Sequence, residues 1–597
     1  MQGIFKWRMS AVVGFALIGQ TALIGQTTAN GMTVAVLASL SSPAPVATPV
    51  TFTAVVSGEL TDNNWYRFSV REGSGPYHII RDYGPVSTLM WTASDHEGTY
   101  EIEVAASNLD TGDMASGSAA FEFDPIATGE PVISPTANSL IFLYSAPSCA
   151  AGQRIHVEFT SADGIQQATP LKDCKPGYTT NFYLAGLQSN TTYTAQHALE
   201  TGAGSAMGPQ LTFTTGNLPS NLYSDTILIP SPAGASNPYL LGSVLGGSAV
   251  ANDLAGNVVW YGPYLSTWSL TNPEAGGALW GVVEVMPADP AQELIRKIDL
   301  TGMTLLETNA ARVNQELAYL GKRQITAFHH EARTLSNGNI AVLADVEQIL
   351  TNAQGPGPVD VIGDMIIVLD RNLNVVWTWD TFDNLDVTRQ AVLGETCATE
   401  GACAPYTLAS NANDWTHGNA ITETADGNLL YSTRNQDWVI KISYDHGNGD
   451  GHIVWKMGVD GDFQINSSDP YPWFSHQHDP NFELSNPSML LVFDDGNTRI
   501  SVLGGGDSRG QALQVDEQNM VVTPVLNADL GYYAAAVGSA QLLLDGNYHF
   551  DLGFVQENNT IDSYSLEVAP SGEILYNAHQ NGVLYRTFRM TDMYSVN

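Results

Sequence analysis

The chain of 597 residues is poor in basic residues. It has 23 lysines and arginines against 61 aspartates and glutamates, which gives a formal net charge of −38. A protein without a basic surplus cannot displace the counterions of a nucleic-acid backbone, and anionic lipid headgroups repel it. The charge therefore argues against nucleic acid and anionic membrane surfaces as partners.

Cysteine is also scarce. The chain has four cysteines, and none of them forms a C-x-x-C pair, which excludes a zinc ribbon. Cys149 and Cys174 lie within one strand-rich segment, and Cys397 and Cys403 lie six positions apart in a loop-like stretch. We expect two local disulfides, with four buried thiols as the alternative. Disulfides are typical of exported proteins.

A long apolar run is missing everywhere except at the N-terminus. Lys6 and Arg8 precede an apolar core over residues 11–19, and small residues follow at 27–29. This is the pattern of a secretory signal peptide, here residues 1–29, with a short uncleaved anchor as the alternative. No later stretch is long and apolar enough to span a bilayer. We expect an exported protein, periplasmic or secreted, with no membrane segment after cleavage.

Several sequence motifs of cofactor and nucleophile sites are absent. The chain has no P-loop, no G-x-S-x-G elbow, and no G-x-G-x-x-G that follows a strand and opens a helix. The acidic stretches DHGNGDG and VDGDF do not match the EF-hand loop. We therefore expect no cofactor and no EF-hand calcium site, and only a metal held by histidines stays open as an alternative.

What the sequence does contain is strand patterning. Residues 32–125 and 130–216 alternate apolar and polar positions, as strands with one buried face do. Tyr100 follows a turn, as in the tyrosine corner of immunoglobulin-like domains. Leu187 and Tyr193 lie in a phrase similar to the corner of fibronectin type III domains. We predict an immunoglobulin-like sandwich over 32–125 and a fibronectin III-like sandwich over 130–216.

The pattern changes over residues 220–597, where short strands recur around turns that contain glycine. These turns include the phrases around Gly338, Gly427, Gly496, Gly546 and Gly572. Diverged hairpins over this length favour a β-propeller, so the predicted fold class is all-β. Helical periodicity is limited to one brief candidate over 309–320.

Histidines precede several of these hairpins. His329 and His330 do so at one place, His417 at a second, and His476 and His478 at a third. In a propeller, such strand starts surround one end of the central channel, and Arg434 would add a planar cation there. Neutral imidazoles beside cations suit the transfer of an anionic group. The residues alone equally allow a zinc site at His476 and His478, completed by His330 or His417, or purely structural histidines.

The phrases HHEARTLSNGNIAVL, DWTHGNAI, STRNQDWVIKI, HQHDPNFE and SRGQALQVDE resemble the bacterial arylsulfate sulfotransferases over roughly 220–597. The resemblance implies a six-bladed β-propeller. It also implies transfer of a sulfuryl group from a phenolic sulfate ester to a phenol, with ping-pong kinetics, through a sulfated histidine and without a nucleotide sulfate donor.

Carried over by residue, the resemblance implies that His478 is the nucleophile. It implies that His417, Arg434 and Asn419 hold oxygens or handle protons, with Asn419 as a substrate-binding residue. His330 becomes a further catalytic histidine, with His329 in its place if the register shifts by one. The implied partners are small phenolic donors and acceptors, and a homo-oligomer is allowed.

Two other functions fit the same composition. One is a non-catalytic extracellular binding or adhesion propeller, which turnover of 4-nitrophenyl sulfate would exclude. The other is a metal-dependent propeller lyase with histidine ligands, which metal analysis would detect.

Overall fold

The computed structural model describes residues 31–58, 61–202, 204–220, 222–263, 268–285, 289–400, 403, 405–483, 485–557 and 559–596. The predicted signal peptide over residues 1–29 lies outside this range. Among the described helices, none is long and apolar enough to cross a membrane.

Strands dominate the chain from residue 33 onward, which confirms the predicted all-β class. The first segment forms two sheets. One sheet contains Thr33–Ala38, Val50–Ser57 and Thr88–Trp91, and the other contains Ala44–Pro45, Asn64–Glu72, His78–Gly84, Gly98–Asn108 and Met114–Asp124. Alternate residues of Gly98–Asn108 are buried, as a strand with one buried face requires. The Tyr100 hydroxyl donates to the backbone oxygen of His96 at 3.1 Å.

The second segment also forms two sheets. One contains Val132–Pro135, Phe142–Ala146 and Thr180–Leu184, and the other contains Arg154–Ser161, Gln166–Ala168, Lys172–Asp173, Thr192–Thr201, Gly204–Met207 and Leu211–Thr214. Leu187 is buried in the core between the sheets. The hydroxyl of Tyr193 accepts from the backbone N–H of Gln188 at 2.8 Å, which fixes the chain at this corner.

The rest of the described chain forms antiparallel sheets of four principal strands each, in sequence order. The first sheet contains Tyr239–Val244, Ala249–Asp253 and Val258–Tyr261, together with Leu584–Met590. The second contains Trp268–Glu274, Ala278–Val283, Leu294–Asp299 and Thr304–Asn309. The third contains Phe328–Thr334, Ile340–Thr351, Pro358–Leu369 and Val375–Asp380, together with the short strand Asn413–Asp414.

Three more sheets follow in the same order. The fourth sheet contains Gly418–Glu423, Leu429–Thr433, Trp438–Ile442 and Ile453–Gly458. The fifth contains His478–Glu483, Asn486–Asp494, Arg509–Asp516 and Val521–Asp529, together with Gln464–Ile465. The sixth contains Gly538–Leu542, Tyr548–Glu557, Thr560–Val568 and Ile574–Asn581, together with Thr226–Ile229. The last strand of the chain, Leu584–Met590, therefore completes the first sheet of this region.

One strand from each sheet faces a common centre. Successive contacts join Trp268–Glu274, Phe328–Thr334, Gly418–Glu423, His478–Glu483, Gly538–Leu542 and Leu584–Met590, and the last of these contacts the first. The inner strands thus form a closed ring, and their starting residues lie around one opening. Apolar side chains fill the space between neighbouring sheets.

Helices are few and short. The described ones are the α-helices Ala310–Tyr319, Thr381–Asn384, Cys397–Glu400 and Asn497–Leu503 and the 3₁₀ turns Arg434–Gln436 and Asp445–Gly447. The first confirms the predicted helical segment, and Asn309 caps it by accepting from the backbone N–H of Arg312 at 2.8 Å. The prediction of a hairpin turn at Gly496 is wrong, because this glycine, at φ 88°, is the N-cap of Asn497–Leu503.

Both N-terminal segments are attached to the ring of sheets. Arg81 of the first segment contacts Glu307 at 2.6 Å, and the two residues are paired across parallel strands. In the second segment, the Tyr594 hydroxyl near the C-terminus donates to the backbone oxygen of Tyr183 at 2.7 Å. Both predicted disulfides, Cys149–Cys174 and Cys397–Cys403, are present, so the alternative of free thiols is excluded.

Candidate active site

A cavity of about 480 Å³ lies at the opening of the inner strands. Its polar lining includes four of the residues singled out from the sequence, namely His330, His417, Arg434 and His478. These residues come from three different sheets, so the ring of strands brings together side chains that are far apart in the sequence.

The backbone at each of these strand starts is irregular. His330 and His417 have φ of 55° and 45°, in the left-handed region that side chains other than glycine rarely adopt. Register shifts follow at His329/Ala332, Gly418/Ala420 and His478/Asn481. Bulges of this kind re-aim side chains, and strained residues of this kind gather at functional sites. Here they turn the imidazoles out of the ladders and toward the cavity.

The ring of His478 is fixed at both nitrogens. Nδ1 lies 2.6 Å from Oδ2 of Asp495, and Nε2 accepts from the backbone N–H of Val537 at 3.3 Å. A backbone N–H can only donate, so Nε2 carries a lone pair and the ring proton lies on Nδ1. Burial, together with Arg434, His417 and Arg586, holds the pKa of His478 well below its usual range. His478 is therefore a neutral imidazole that carries its lone pair on Nε2.

His417 is oriented by a carboxylate in the same manner. Its Nδ1 lies 2.5 Å from Oδ2 of Asp414, three residues earlier in the chain. Its ring packs against that of His330, with 5.2 Å between the centroids. An imidazole held through Nδ1 by a carboxylate offers Nε2 for proton transfer.

Arg434 follows the strand Leu429–Thr433 and begins a 3₁₀ turn. Its guanidinium donates to Oδ1 of Asn435 at 2.8 Å and to the backbone oxygen of Ala535 at 3.1 Å. These contacts hold the planar cation in the cavity wall, where it raises the positive potential around His478.

His330 and His329 are adjacent, and their Nδ1 atoms lie 2.7 Å apart. Nε2 of His329 points away from the cavity, 3.1 Å from Asp364 Oδ1 and 3.3 Å from Asp345 Oδ1. Of the two histidines, His330 lines the cavity and His329 does not. The catalytic role of His330 stays a prediction.

The triad His329, Asp345 and Asp364 is also the only group among the described residues whose spacing could hold a metal ion. Although burial favours the neutral imidazole, the two carboxylates raise the pKa of His329 to about 9. A protonated His329 already neutralises one carboxylate, so the triad is complete as an ion pair.

The alternative zinc site at His476 and His478 finds no support in the geometry. His476 is buried between Asp437, 2.9 Å from Nδ1, and Glu395, 2.6 Å from Nε2. Because His478 contacts a different carboxylate, Asp495, the two rings share no ligand position.

Asn419 is fully buried, and it is not among the residues that line the cavity. Its side-chain amide donates to the backbone oxygen of Gln477 at 2.7 Å. Its backbone oxygen accepts from Nη2 of Arg586 at 2.7 Å. The substrate-binding role of Asn419 stays a prediction.

Sequence reasoning missed a buried cation beneath the cavity. Arg586, on the last strand, contacts Glu331 Oε2 at 3.0 Å, and both side chains are fully buried. The charge of Glu331 raises the pKa of Arg586 against the effect of burial, so the guanidinium is permanently charged. The neighbouring Tyr585 lines the cavity, and its hydroxyl donates to the backbone oxygen of His330 at 3.0 Å.

The remaining wall is largely apolar. It is formed by Leu245, Val282, Val537, Phe554 and Val583, together with alanines at 535 and 536. One carboxylate, Glu284, also lies in the wall. The cavity thus places an apolar space next to a cluster of imidazoles and a guanidinium.

An all-β protein in which a ring of strands carries histidines and an arginine to one cavity is equipped to bind an anionic group beside a neutral imidazole. The chain belongs to the arylsulfotransferase (ASST) family, whose model matches residues 230–586, more than half of its length. Membership indicates a sulfotransferase, an enzyme with small-molecule donors and acceptors.

Other comparisons add little. No curated protein matches the chain. The FN1–FN3 domains of chicken CNTN1 match at 13% identity, over 30% of this chain and 66% of that chain, with a TM-score of 0.13. The chicken interferon gamma receptor alpha chain matches at 12% identity, over 30% of this chain and 100% of that chain, also with a TM-score of 0.13. Such low scores carry no argument about the fold.

Proposed function

We propose that the protein is an arylsulfate sulfotransferase that moves a sulfuryl group from a phenolic sulfate ester to a phenol through a sulfated His478. The observation that carries this proposal is the state of His478. Its neutral ring presents the Nε2 lone pair beside Arg434, and Asp495 holds its proton on Nδ1. An imidazole in this state is prepared for nucleophilic attack.

In the first step, Nε2 of His478 attacks the sulfur and forms an N–S bond while the bond between sulfur and the phenolic oxygen breaks. The leaving phenolate takes the electron pair and a proton from His417, whose Nδ1 contact with Asp414 favours the charged ring. Positive charge that develops on the ring of His478 is balanced by Asp495 at 2.6 Å. In the second step, His417 removes the proton from an acceptor phenol, whose oxygen takes the sulfuryl group from Nε2.

The sulfuryl oxygens carry the negative charge throughout, as in phosphoryl transfer, so positioning and charge neutralisation supply most of the rate. Arg434 offers fixed donors to these oxygens. The N–H of Val537, which lies 3.3 Å from Nε2 of His478, becomes a neighbour of the sulfuryl group once the N–S bond forms. The apolar wall suits the aromatic ring of a phenolic donor or acceptor.

The proposed function is accompanied by a proposed domain architecture. We propose that the six sheets are the blades of a β-propeller over 220–597, and that the segments 32–125 and 130–216 are immunoglobulin-like and fibronectin III-like sandwiches. The closed ring of inner strands and the Tyr100 and Tyr193 corners support these assignments. The two disulfides support export to the periplasm or the medium.

The test is a burst experiment followed by mass analysis. Wild-type protein mixed with 4-nitrophenyl sulfate and no acceptor releases one equivalent of 4-nitrophenolate and gains about 80 Da on the peptide that contains His478. The His478→Ala variant keeps its fold and gives neither signal. A full burst in that variant, or the added mass on another peptide, would refute the assignment of the nucleophile.

A further inference from the structure

His329 is a buried histidine that the proposed mechanism does not use. Its Nδ1 lies 2.7 Å from Nδ1 of His330, and its Nε2 lies 3.1 Å from Asp364 and 3.3 Å from Asp345. It therefore lies between two carboxylates on one side and a cavity histidine on the other.

The position of Asp364 determines where the protons lie. Oδ2 of Asp364 accepts from the backbone N–H of Gly418 at 2.9 Å, from the hydroxyl of Tyr431 at 2.5 Å, and from the hydroxyl of Thr416. Although burial opposes ionisation, the nearby ring of His329 and the hydroxyl groups of Thr416 and Tyr431 keep the pKa of Asp364 below its usual range. Asp364 is thus a carboxylate, and the nitrogen of His329 that faces it carries a proton.

The two imidazoles share a single proton at their Nδ1–Nδ1 contact. Two Nδ1 atoms at 2.7 Å need one proton between them, because two protons would clash and none would leave two lone pairs facing each other. Asp364, together with Asp345, favours the charged form of His329, although burial raises the pKa of Asp345 itself to about 8. Burial, with His329, His417 and other cations, lowers the pKa of His330. The shared proton therefore belongs to His329, which donates to Nδ1 of His330.

We propose that His329 is a positioning residue that fixes His330 as the neutral tautomer with its proton on Nε2. His330 then presents an N–H donor, and not a lone pair, to an oxygen of the bound sulfate ester. This inference rests on the proposed function for the identity of the ligand, but the tautomer itself is a property of the free protein.

The two ends of His329 can be separated by substitution. In His329→Asn the side-chain amide occupies the place of Nδ1 and keeps a donor toward His330. In His329→Gln the amide reaches the place of Nε2, near Asp345 and Asp364, and the donor toward His330 is lost. Both variants remove the same charge, so each serves as the matched control of the other.

We expect the burst rate of His329→Gln with 4-nitrophenyl sulfate to fall roughly 10²-fold, as when one oxyanion donor is lost, and His329→Asn to recover most of that loss. Equal rates in the two variants would overturn the proposal. If either variant fails to fold, neutron diffraction of the wild-type protein decides, because it locates deuterons directly. Deuterons on Nδ1 of His329 and Nε2 of His330 are expected, and a deuteron on Nδ1 of His330 would refute the tautomer.

Elemental analysis of the protein as isolated tests the competing use of the same triad. A metal ion that is present at one equivalent in wild-type protein and absent from variants of Asp345 or Asp364 would show that the triad binds metal, and this would overturn the proposal. Protein isolated without metal agrees with the proposal. If wild-type protein shows no burst at all, the proposed function fails, and the neutron result still reports on the His330 tautomer.

Discussion

Replacing Asp495 with asparagine tests the preparation of His478 directly. The carboxylate accepts the Nδ1 proton over 2.6 Å inside the protein, and nothing else in contact with Nδ1 holds that proton there among the described residues. Burial raises the pKa of Asp495 well above its usual range, but the Val537 N–H on Nε2 places the shared proton on Nδ1 of His478, which leaves Asp495 as its acceptor. Asparagine removes the carboxylate that stabilises positive charge on the imidazole as the N–S bond forms. It also offers an amide N–H to Nδ1, which would move the ring proton to Nε2 and block attack.

The size of the effect follows from comparable buried dyads. In a serine-protease triad, replacing the aspartate with asparagine removes the charge and changes the histidine tautomer, and kcat falls by about 10⁴. We expect the burst rate to fall by about 10³ here, which corresponds to ~4 kcal/mol of activation free energy. The assay is the rate of the nitrophenolate burst in stopped flow, which reports the first half-reaction without an acceptor.

Asp437→Asn is the matched control. Asp437 is also a buried carboxylate bonded to a histidine, His476, but that pair lies outside the cavity lining. Its burst rate should stay within a few-fold of wild type. If Asp495→Asn kept more than a tenth of the wild-type burst rate, the argument that Asp495 prepares the nucleophile would be refuted.

Two further predictions concern charge. Arg434→Lys replaces the fixed planar donor by a single mobile ammonium, so the burst rate should drop roughly 10²-fold. The control is Arg389→Lys, at an arginine packed over Trp438, which should leave the burst rate unchanged. Equal losses of burst rate in the two variants would contradict a specific role of Arg434. Because the pKa of His478 is depressed in the fold, the unfolded chain takes up a proton below about pH 6.5 that the folded chain does not. Urea unfolding should therefore show wild type losing stability relative to His478→Gln, by up to about 1.4 kcal/mol per pH unit, as pH falls from 6.5 to 5.5, and parallel curves would contradict the depressed pKa.

The parts of the fold that depend on local pattern could be predicted from the sequence. Period-two alternation and glycine turns predicted the strands, and Asn309 marked the start of a helix. The cysteines were paired because each pair falls within one local segment of the chain. The cavity histidines were found for the same reason, because each precedes a hairpin whose place in the ring is regular.

The partners of those histidines could not be found in this way. Asp495 lies in the stretch DDGN, which has the composition of a hairpin turn but leads into a helix. Val537 contributes its backbone N–H, a group that nearly every residue has and that the sequence therefore does not mark. Tyr585 and Arg586 reach the site from the last strand, through contacts between residues more than a hundred positions apart. With 61 acidic residues, a single carboxylate such as Glu284 has no local signal that sets it apart.

The strand Leu584–Met590 has a consequence for how the ring is held together. It pairs with Tyr239–Val244 and carries the guanidinium of Arg586 beneath the imidazoles. Without this strand, the first sheet would lose its inner edge and the cavity would lose that cation. Closure of the ring and assembly of the cavity are therefore a single structural event, and a change that frees this strand should loosen both together.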